Sequence, residues 1–198
     1  MQNNIISSLA VFCGSSTGND DSFYNDAFSL GVFLAHKNIQ VVYGGAKIGL
    51  MGAVADGALS QKGVVTGVIP DFLVDKEIAH EGITHLRIVK SMQERKTLMH
   101  ELSDGAIILP GGFGTMDEMF ELLTWGQLGL HKKPIGILNS AGYYDDLISF
   151  INKMVNMNLL RQSNREMLLI STNIESLFKQ MLTYKPPLKA KWIAKDQI

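Results

Sequence analysis

Short apolar runs alternate with stretches of helical periodicity along most of the chain. Residues 9–13, Leu-Ala-Val-Phe-Cys, form an unbroken apolar run that stops at Gly14-Ser15-Ser16. That is the pattern of a strand buried on both faces and ending in a tight polar turn. Asp20 and Asp21 then precede Tyr24, Ala27, Phe28, Gly31, Leu34 and Ala35 at helical spacing, which predicts an N-capped amphipathic helix. The unit repeats as a strand at residues 39–43, a loop at 44–49 and a helix at 50–61, and again as a strand at 64–69 stopped by Pro70. A polar segment at 71–82 leads to a strand at 86–89, a helix capped by Ser91 and running to about Leu102, and a strand at 106–109. Beyond the loop at 110–115 come a helix through about Leu128, a strand at 135–138, and helices near 144–156 and 174–184.

Strands alternating with helices imply right-handed βαβ crossovers and an α/β fold: a doubly wound, Rossmann-like parallel sheet with helices on both faces. Residues 1–184 read as a single domain and 185–198, around and after Pro186-Pro187, as a C-terminal tail. Sheets of this kind bind ligands outside the carboxyl ends of their strands. The loops that matter are then 14–16, 44–49, the segment after Pro70, the Ser91 turn and 110–115.

Composition narrows the partners. Among 198 residues, 46% hydrophobic, Lys plus Arg number 18 and Asp plus Glu 19, a net charge of -1. No global positive field exists to hold a nucleic-acid backbone or an anionic membrane surface, so anions must be bound locally. The one cysteine, Cys13, can form neither an internal disulfide nor a cysteine-based zinc site. The five histidines show no metal-ligand spacing, and no metal site is expected. The opening Met1-Gln2-Asn3-Asn4 lacks the positive charge of a secretory leader, and the apolar stretch behind it is too short to span a bilayer. A reducing, cytoplasmic setting is the expectation.

In Pro110-Gly111-Gly112-Phe113-Gly114-Thr115, three glycines lead into a helix. Backbone N–H groups there escape Cβ obstruction, and the helix dipole adds partial positive charge, which makes a phosphate cradle. The run is not a Walker A loop, because no Gly-Lys-Ser/Thr closes it, and the first strand is not followed by a dinucleotide fingerprint. Glycines after a strand also make ordinary tight turns, so the cradle reading needs its context. That context is Glu118, about one turn on, with Glu121 a turn further. Capping explains many such carboxylates and is the default for Asp117. Beside a phosphate, however, a carboxylate repels the ligand unless a cationic transition state needs it, and cleavage of a ribosyl bond supplies one. A second constellation, Met92-Gln93-Glu94-Arg95-Lys96, starts the helix capped by Ser91. Two cations there oppose the helix dipole, whereas a planar guanidinium suits a phosphate, a purine or a carboxylate.

These residues carry a family resemblance. Pro-Gly-Gly-x-Gly-Thr-x-x-Glu stands complete at 110–118 and Met-x-x-Arg-Lys at 92–96, and together they resemble the Lonely Guy family of cytokinin riboside 5′-monophosphate phosphoribohydrolases. Similarity extends from the first strand through 124–129 and 133–136 to Gly142-Tyr143-Tyr144. The resemblance implies hydrolysis of an adenosine-type nucleoside 5′-monophosphate to free base and ribose 5-phosphate, in a homodimer, with no metal or organic cofactor. By motif it makes Arg95 and Glu118 the catalytic pair. Gly111, Gly112, Phe113, Gly114 and Thr115, with Met116 and Asp117 behind them, then hold the phosphoribosyl end, while Lys96 lines the site and Glu77 and Thr124 contact substrate. Gln93 stands where many members have His, and Asp117 where many have a second Glu. Some members carry an old lysine decarboxylase label, but that chemistry needs a pyridoxal phosphate Schiff base, and no lysine here sits in a recognisable setting for one.

Two other readings remain: a non-hydrolytic nucleotide carrier using the same cradle, and a nucleosidase preferring AMP over prenylated nucleotides. Tyr143 and Tyr144 read as core or interface packing, and Met99, Leu102, Met116, Met119, Phe120 and Leu123 as core. The helix carrying Met116, Met119, Phe120, Leu123 and Trp125 offers more apolar surface than one sheet face covers, a second reason to expect a dimer.

Overall fold

The computed structural model describes residues 4–74 and 79–187. The first apolar run becomes β1 (Ser8–Phe12), and its residues alternate between two cores. Leu9, Val11 and Cys13 enter one with α1 (Asp21–His36) and α2 (Gly49–Ser60). Ala10 and Phe12 enter the other. A strand buried on both faces has no polar side to show, which is why the run is continuously apolar.

The remaining strands are β2 (Gln40–Tyr43), β3 (Val65–Pro70), β4 (His85–Val89), β5 (Ala106–Ile108), β6 (Ile135–Leu138) and β7 (Leu168–Ser171). They form one seven-stranded sheet in the order β4-β3-β2-β1-β5-β6-β7, and every pairing is parallel. The doubly wound α/β class expected from the sequence is thus the observed one, with a strand the periodicity had not predicted. That strand, β7, lies in the apolar run 167–170 after the four-residue helix α6 (Gln162–Arg165) and before α7 (Ile174–Thr183), whose cap is Asn173. Strand boundaries otherwise shift by one or two residues, Pro70 being the last residue of β3.

Helices α3 (Met92–Glu101), α4 (Phe113–Leu128) and α5 (Asp145–Asn156) supply Met99, Met119, Leu122 and Ile151 to the second core, and α7 joins α1 and α2 at the first through Leu177 and Met181. Glycines let α1 and α2 touch backbone to backbone: a Cβ on Gly31 would strike the Val54 carbonyl, and one on Gly57 the Phe28 carbonyl. The predicted caps are present. Asp20 accepts from Ser22 N–H at 2.9 Å. Ser91 accepts from Glu94 N–H at 3.1 Å, while Glu94 accepts from Lys90 N–H at 2.8 Å, a near-reciprocal arrangement that fixes where α3 begins. Among the described residues no helix is long and apolar enough to cross a membrane.

The order in which strands are added to the sheet reverses between β1 and β5. To one side of β1 the order runs through β2 to β4, and to the other through β5 to β7. The loops leaving these two strands therefore part at the switch point, where such sheets open a crevice. Here they are tied together at the base: Gly14 N–H donates to the Pro110 carbonyl at 2.9 Å, and Leu50 N–H to the Gly14 carbonyl at 3.1 Å.

Candidate active site

A cleft of about 290 Å³ opens at this point, at the lower end of the ~300–1,000 Å³ typical of small-molecule sites. Its walls come from β1 and its loop (Cys13, Gly14, Ser15), from Gly44 after β2, from Met51 of α2, from Met92, Arg95 and Met99 of α3, and from the start of α4. Both motifs thus face one space. Arg95, Gly112, Phe113, Gly114, Thr115 and Glu118 all line it.

Helix α4 starts earlier than the glycine run suggested. Gly112 is its N-cap and Phe113 its first residue, so Gly114 and Thr115 lie within the first turn. The leading N–H groups of a helix have no intrahelical acceptor, and no side chain caps them here. A Cβ on Gly112 or Gly114 would meet nothing within 4 Å, and neither residue has a positive φ. Neither the backbone nor neighbouring atoms demand glycine at these two positions. A ligand approaching the backbone would. Gly111 differs, since a Cβ there would collide with Thr115 and come within 2.9 Å of Gly14 N.

The early start also moves Glu118 to the sixth helical residue. Dipole stabilisation of a carboxylate fades beyond the first turn, so a capping role no longer accounts for it. Its charge reaches the floor of the cleft: the Cys13 thiol is pushed far above its usual range by burial and then by Glu118, with Arg95 acting in the opposite sense. The thiol is consequently neutral and no nucleophile.

Arg95 is only 5% exposed, and its Nη2 donates to the Gly44 carbonyl at 2.7 Å. A planar guanidinium buried at the wall of a cleft is poised for an anionic or aromatic ligand. The Gly44 loop is itself held from outside. His80 N–H donates to the Gly45 carbonyl at 2.9 Å, and the buried His80 ring lies 3.1 Å from Asp56 through Nε2 while Nδ1 accepts from Gly82 N–H at 3.2 Å.

The other expected contact residues are arranged differently. Lys96 points away from the cleft lining and bridges to Asp117 at 3.0 Å and Glu121 at 3.1 Å, tying α3 to α4. Burial alone would lower its pKa, but the hydrogen bonds it donates to the two carboxylates raise it. Met116 packs against the second core. The Thr124 hydroxyl donates to the Phe120 carbonyl at 2.7 Å and borders a separate, mainly apolar groove of about 220 Å³ between α4 and α5. Glu77 lies outside the described residues. Two residues read as packing prove to be bonded to the cradle: the Tyr143 hydroxyl donates to the Gly111 carbonyl and the Tyr144 hydroxyl to the Leu109 carbonyl, each at 2.7 Å. Nothing in their spacing distinguishes such a bond from ordinary aromatic packing.

At the opposite edge of the sheet, the fold brings together two histidines that are distant in sequence. The rings of His100 and His131 lie 4.9 Å apart, next to Lys133. His131 is committed on both nitrogens, to the Leu122 carbonyl at 2.9 Å and Lys133 N–H at 3.1 Å. Among the described residues no cluster of three metal-binding side chains occurs. Burial, then Lys133 and His131, push the His100 pKa down to about 4, and burial followed by Lys133 lowers His131 against the Leu122 bond. Since the folded pKa lies below the unfolded value near 6.5, the unfolded chain binds more protons between them, and stability present above about pH 6.5 is lost as pH falls toward 4. Given partial exposure, the loss from His100 is of order 1 kcal/mol. Thermal melts from pH 7 to 5 should show a falling Tm, and His100→Gln should flatten the slope.

An α/β sheet with an uncapped helix start, a buried guanidinium and a carboxylate lining one cleft at its switch point defines a protein of the doubly wound, Rossmann-like class. The chain belongs, more particularly, to the family of cytokinin riboside 5′-monophosphate phosphoribohydrolases, whose family model, described as possible lysine decarboxylase, matches residues 51–181. It is 42% identical over 178 residues to one such phosphoribohydrolase of Arabidopsis thaliana, covering 90% of this chain and 84% of that one. A second from the same plant is 41% identical over 186 residues, covering 94% and 86%. Among solved structures, the molybdenum cofactor carrier protein of Chlamydomonas reinhardtii superposes with a TM-score of 0.68 at 16% identity, covering 89% of this chain and 98% of that one. At that identity the likeness is one of fold. Pyridoxal phosphate does not fit the cleft: no lysine is among its described lining residues, and Lys96, the lysine of the α3 motif, is engaged by two carboxylates.

Proposed function

We propose that this chain hydrolyses the N-glycosidic bond of adenosine-type nucleoside 5′-monophosphates to free base and ribose 5-phosphate, with Arg95 and Glu118 as the catalytic pair. The reading rests on one observation: a carboxylate too far along its helix to act as a cap shares a cleft with an anion cradle. The cradle formed by Gly112, Phe113, Gly114 and Thr115 takes the 5′-phosphate and thereby places C1′ near Glu118. As the C1′–N bond breaks, its electron pair leaves with the base and the ribosyl ring becomes cationic. The Glu118 carboxylate stabilises that cation and orients the water whose hydroxyl is added to C1′ while its proton goes to the base. Arg95 contacts the nucleotide. Phe113, 95% exposed at the cleft, offers an apolar face beside which a base can rest. No metal or organic cofactor is required, and the single buried thiol suits a reducing cytoplasm.

Incubating the protein with a panel of nucleoside 5′-monophosphates, prenylated and plain, and detecting free base by chromatography tests the activity and reads out base preference. Binding energy from the phosphate positions the reacting bond, so removing the phosphate costs catalysis as well as affinity. Nucleosides should show kcat/KM at least about tenfold lower than the matching monophosphates. Equal turnover of adenosine and AMP would contradict the cradle.

The working unit in this reading is a homodimer. Part of the apolar surface of α4 is used in the core, where Met119 and Leu122 are buried. Away from the cleft, Phe120 and Leu128 of α4 stay exposed, as do Phe150, Met157 and Leu159 on and after α5. A second copy over this face would cover them. Light scattering at micromolar protein should give twice the chain mass of 21.8 kDa, and a monomer would end the idea.

A further inference from the structure

We propose that Tyr143 is a positioning residue of the cleft, its hydroxyl holding the Gly111–Gly112 peptide so that the Gly112 N–H is presented to an anion. The inference rests on the cradle reading above and extends it to a residue outside the cleft lining.

Four successive carbonyls leading into α4 each have a donor. Leu109 is held by the Tyr144 hydroxyl, Pro110 by Gly14 N–H, Gly111 by the Tyr143 hydroxyl and Gly112 by Met116 N–H. In a trans peptide the carbonyl of one residue and the N–H of the next point in opposite directions, and the described chain has no cis bonds. Holding a carbonyl outward therefore aims the following N–H the other way. The four bonds are not equivalent, however. The peptide after Leu109 belongs to Pro110, which has no N–H to aim, so Tyr144 only satisfies a buried acceptor. Those after Pro110 and Gly112 are held by backbone within the strand loop and the helix.

The Gly111–Gly112 peptide is the exception. It is flanked by two residues without Cβ, so its rotation meets the least steric resistance of any peptide in the loop. Its carbonyl is held by one side chain from a distant element. That side chain is well braced. Tyr143 follows a tight turn with Ala141 at φ 48° and Gly142 at φ 72°, and its N–H donates to the Ser140 carbonyl at 3.0 Å. Its ring stands edge-on to Phe23 at 5.5 Å and to Tyr144 at 4.8 Å. Yet it remains 46% exposed, so losing the hydroxyl strips no core.

The test compares Tyr143→Phe with Tyr144→Phe in three measurements. In ligand-free protein labelled with 15N-glycine, Tyr143→Phe should shift or broaden the Gly112 amide and leave that of Gly105 unmoved. Titration with inorganic phosphate should show affinity weakened about two- to tenfold, the range of one lost hydrogen bond. Steady-state kinetics should show KM for the nucleoside 5′-monophosphate raised by a similar factor, with the residual turnover of the nucleoside unchanged, since only the former uses the cradle. Tyr144→Phe should lower Tm and treat both substrates alike. An unchanged Gly112 amide, unchanged phosphate affinity, or equal loss toward nucleotide and nucleoside in Tyr143→Phe would overturn the proposal. Should the wild type hydrolyse no nucleotide, the proposed function fails, while the Gly112 amide in the ligand-free variant still decides the role of Tyr143.

Discussion

With Glu118 replaced by Gln, turnover of nucleoside 5′-monophosphates should fall by roughly a hundredfold or more while substrate still binds. The substitution keeps size and hydrogen-bonding reach and removes only the charge. If Glu118 merely stabilised a helix start, the change would cost at most about 1 kcal/mol of stability, and even that expectation assumes a first-turn position. Its place as the sixth residue of α4 takes it out of that range. The ground state should respond in the opposite direction, because a neutral amide no longer repels the phosphate. KM is then unchanged or lower, the mark of a group acting in the transition state. Steady-state kinetics beside a thermal melt separates the cases. A Glu118→Gln enzyme with near-normal turnover of every substrate the wild type accepts would sink the mechanism and leave a non-hydrolytic binder as the better reading.

Arg95 should behave differently, since in the proposed mechanism its guanidinium contacts substrate before the bond breaks as well as during cleavage. Arg95→Ala is expected to raise KM and lower kcat together, reducing kcat/KM by about ten- to a hundredfold, the value of a lost charged hydrogen bond. Because Arg95 is buried, truncation also leaves a hole and deprives the Gly44 carbonyl of its 2.7 Å donor. Gly44→Ala avoids that ambiguity. A Cβ there would strike Arg95 Nη2 and come within 2.7 Å of Met51 Sδ, displacing the guanidinium without deleting it. The same loss of kcat/KM, with the circular dichroism spectrum intact, should follow. Values within threefold of wild type for both variants would remove Arg95 from the reaction.

Much of this was legible in the sequence because the signals are local. Short unbroken apolar runs that stop at a polar turn, such as 9–13, suit strands buried on both faces, and Asp20 and Ser91 announce helices by their own hydrogen-bonding capacity. The two motifs lead to the carboxyl edge of the sheet by the same logic. What stayed hidden depends on long-range contact. β7 follows a four-residue helix too short to show a period. The onset of α4 at Phe113 follows from how the β5 loop is tied to β1, which no propensity reports. Lys96 carries the same motif as Arg95, yet one residue along a helix turns its side chain by about 100° toward Asp117 and Glu121. Tyr143 reveals its bond to Gly111 only in three dimensions.

The pairing of β1 with β5 also bears on how this molecule comes into being. The Asp104 carboxylate takes the N–H of Ser7 at 2.8 Å and that of Ser8 at 3.0 Å, across a sequence separation of 97 residues for the first. Contacts this distant close late, because the entropy of a large loop must be overcome before they give anything back. The βα units from β1 to β4 are built from nearer neighbours and have the shorter search. As the nascent chain emerges, then, a half-sheet ending at β4 holds Arg95 nearby but has no wall opposite. The cleft is complete only once β5 lies against β1, so a binding site first appears with that long-range closure and belongs to neither half-sheet alone.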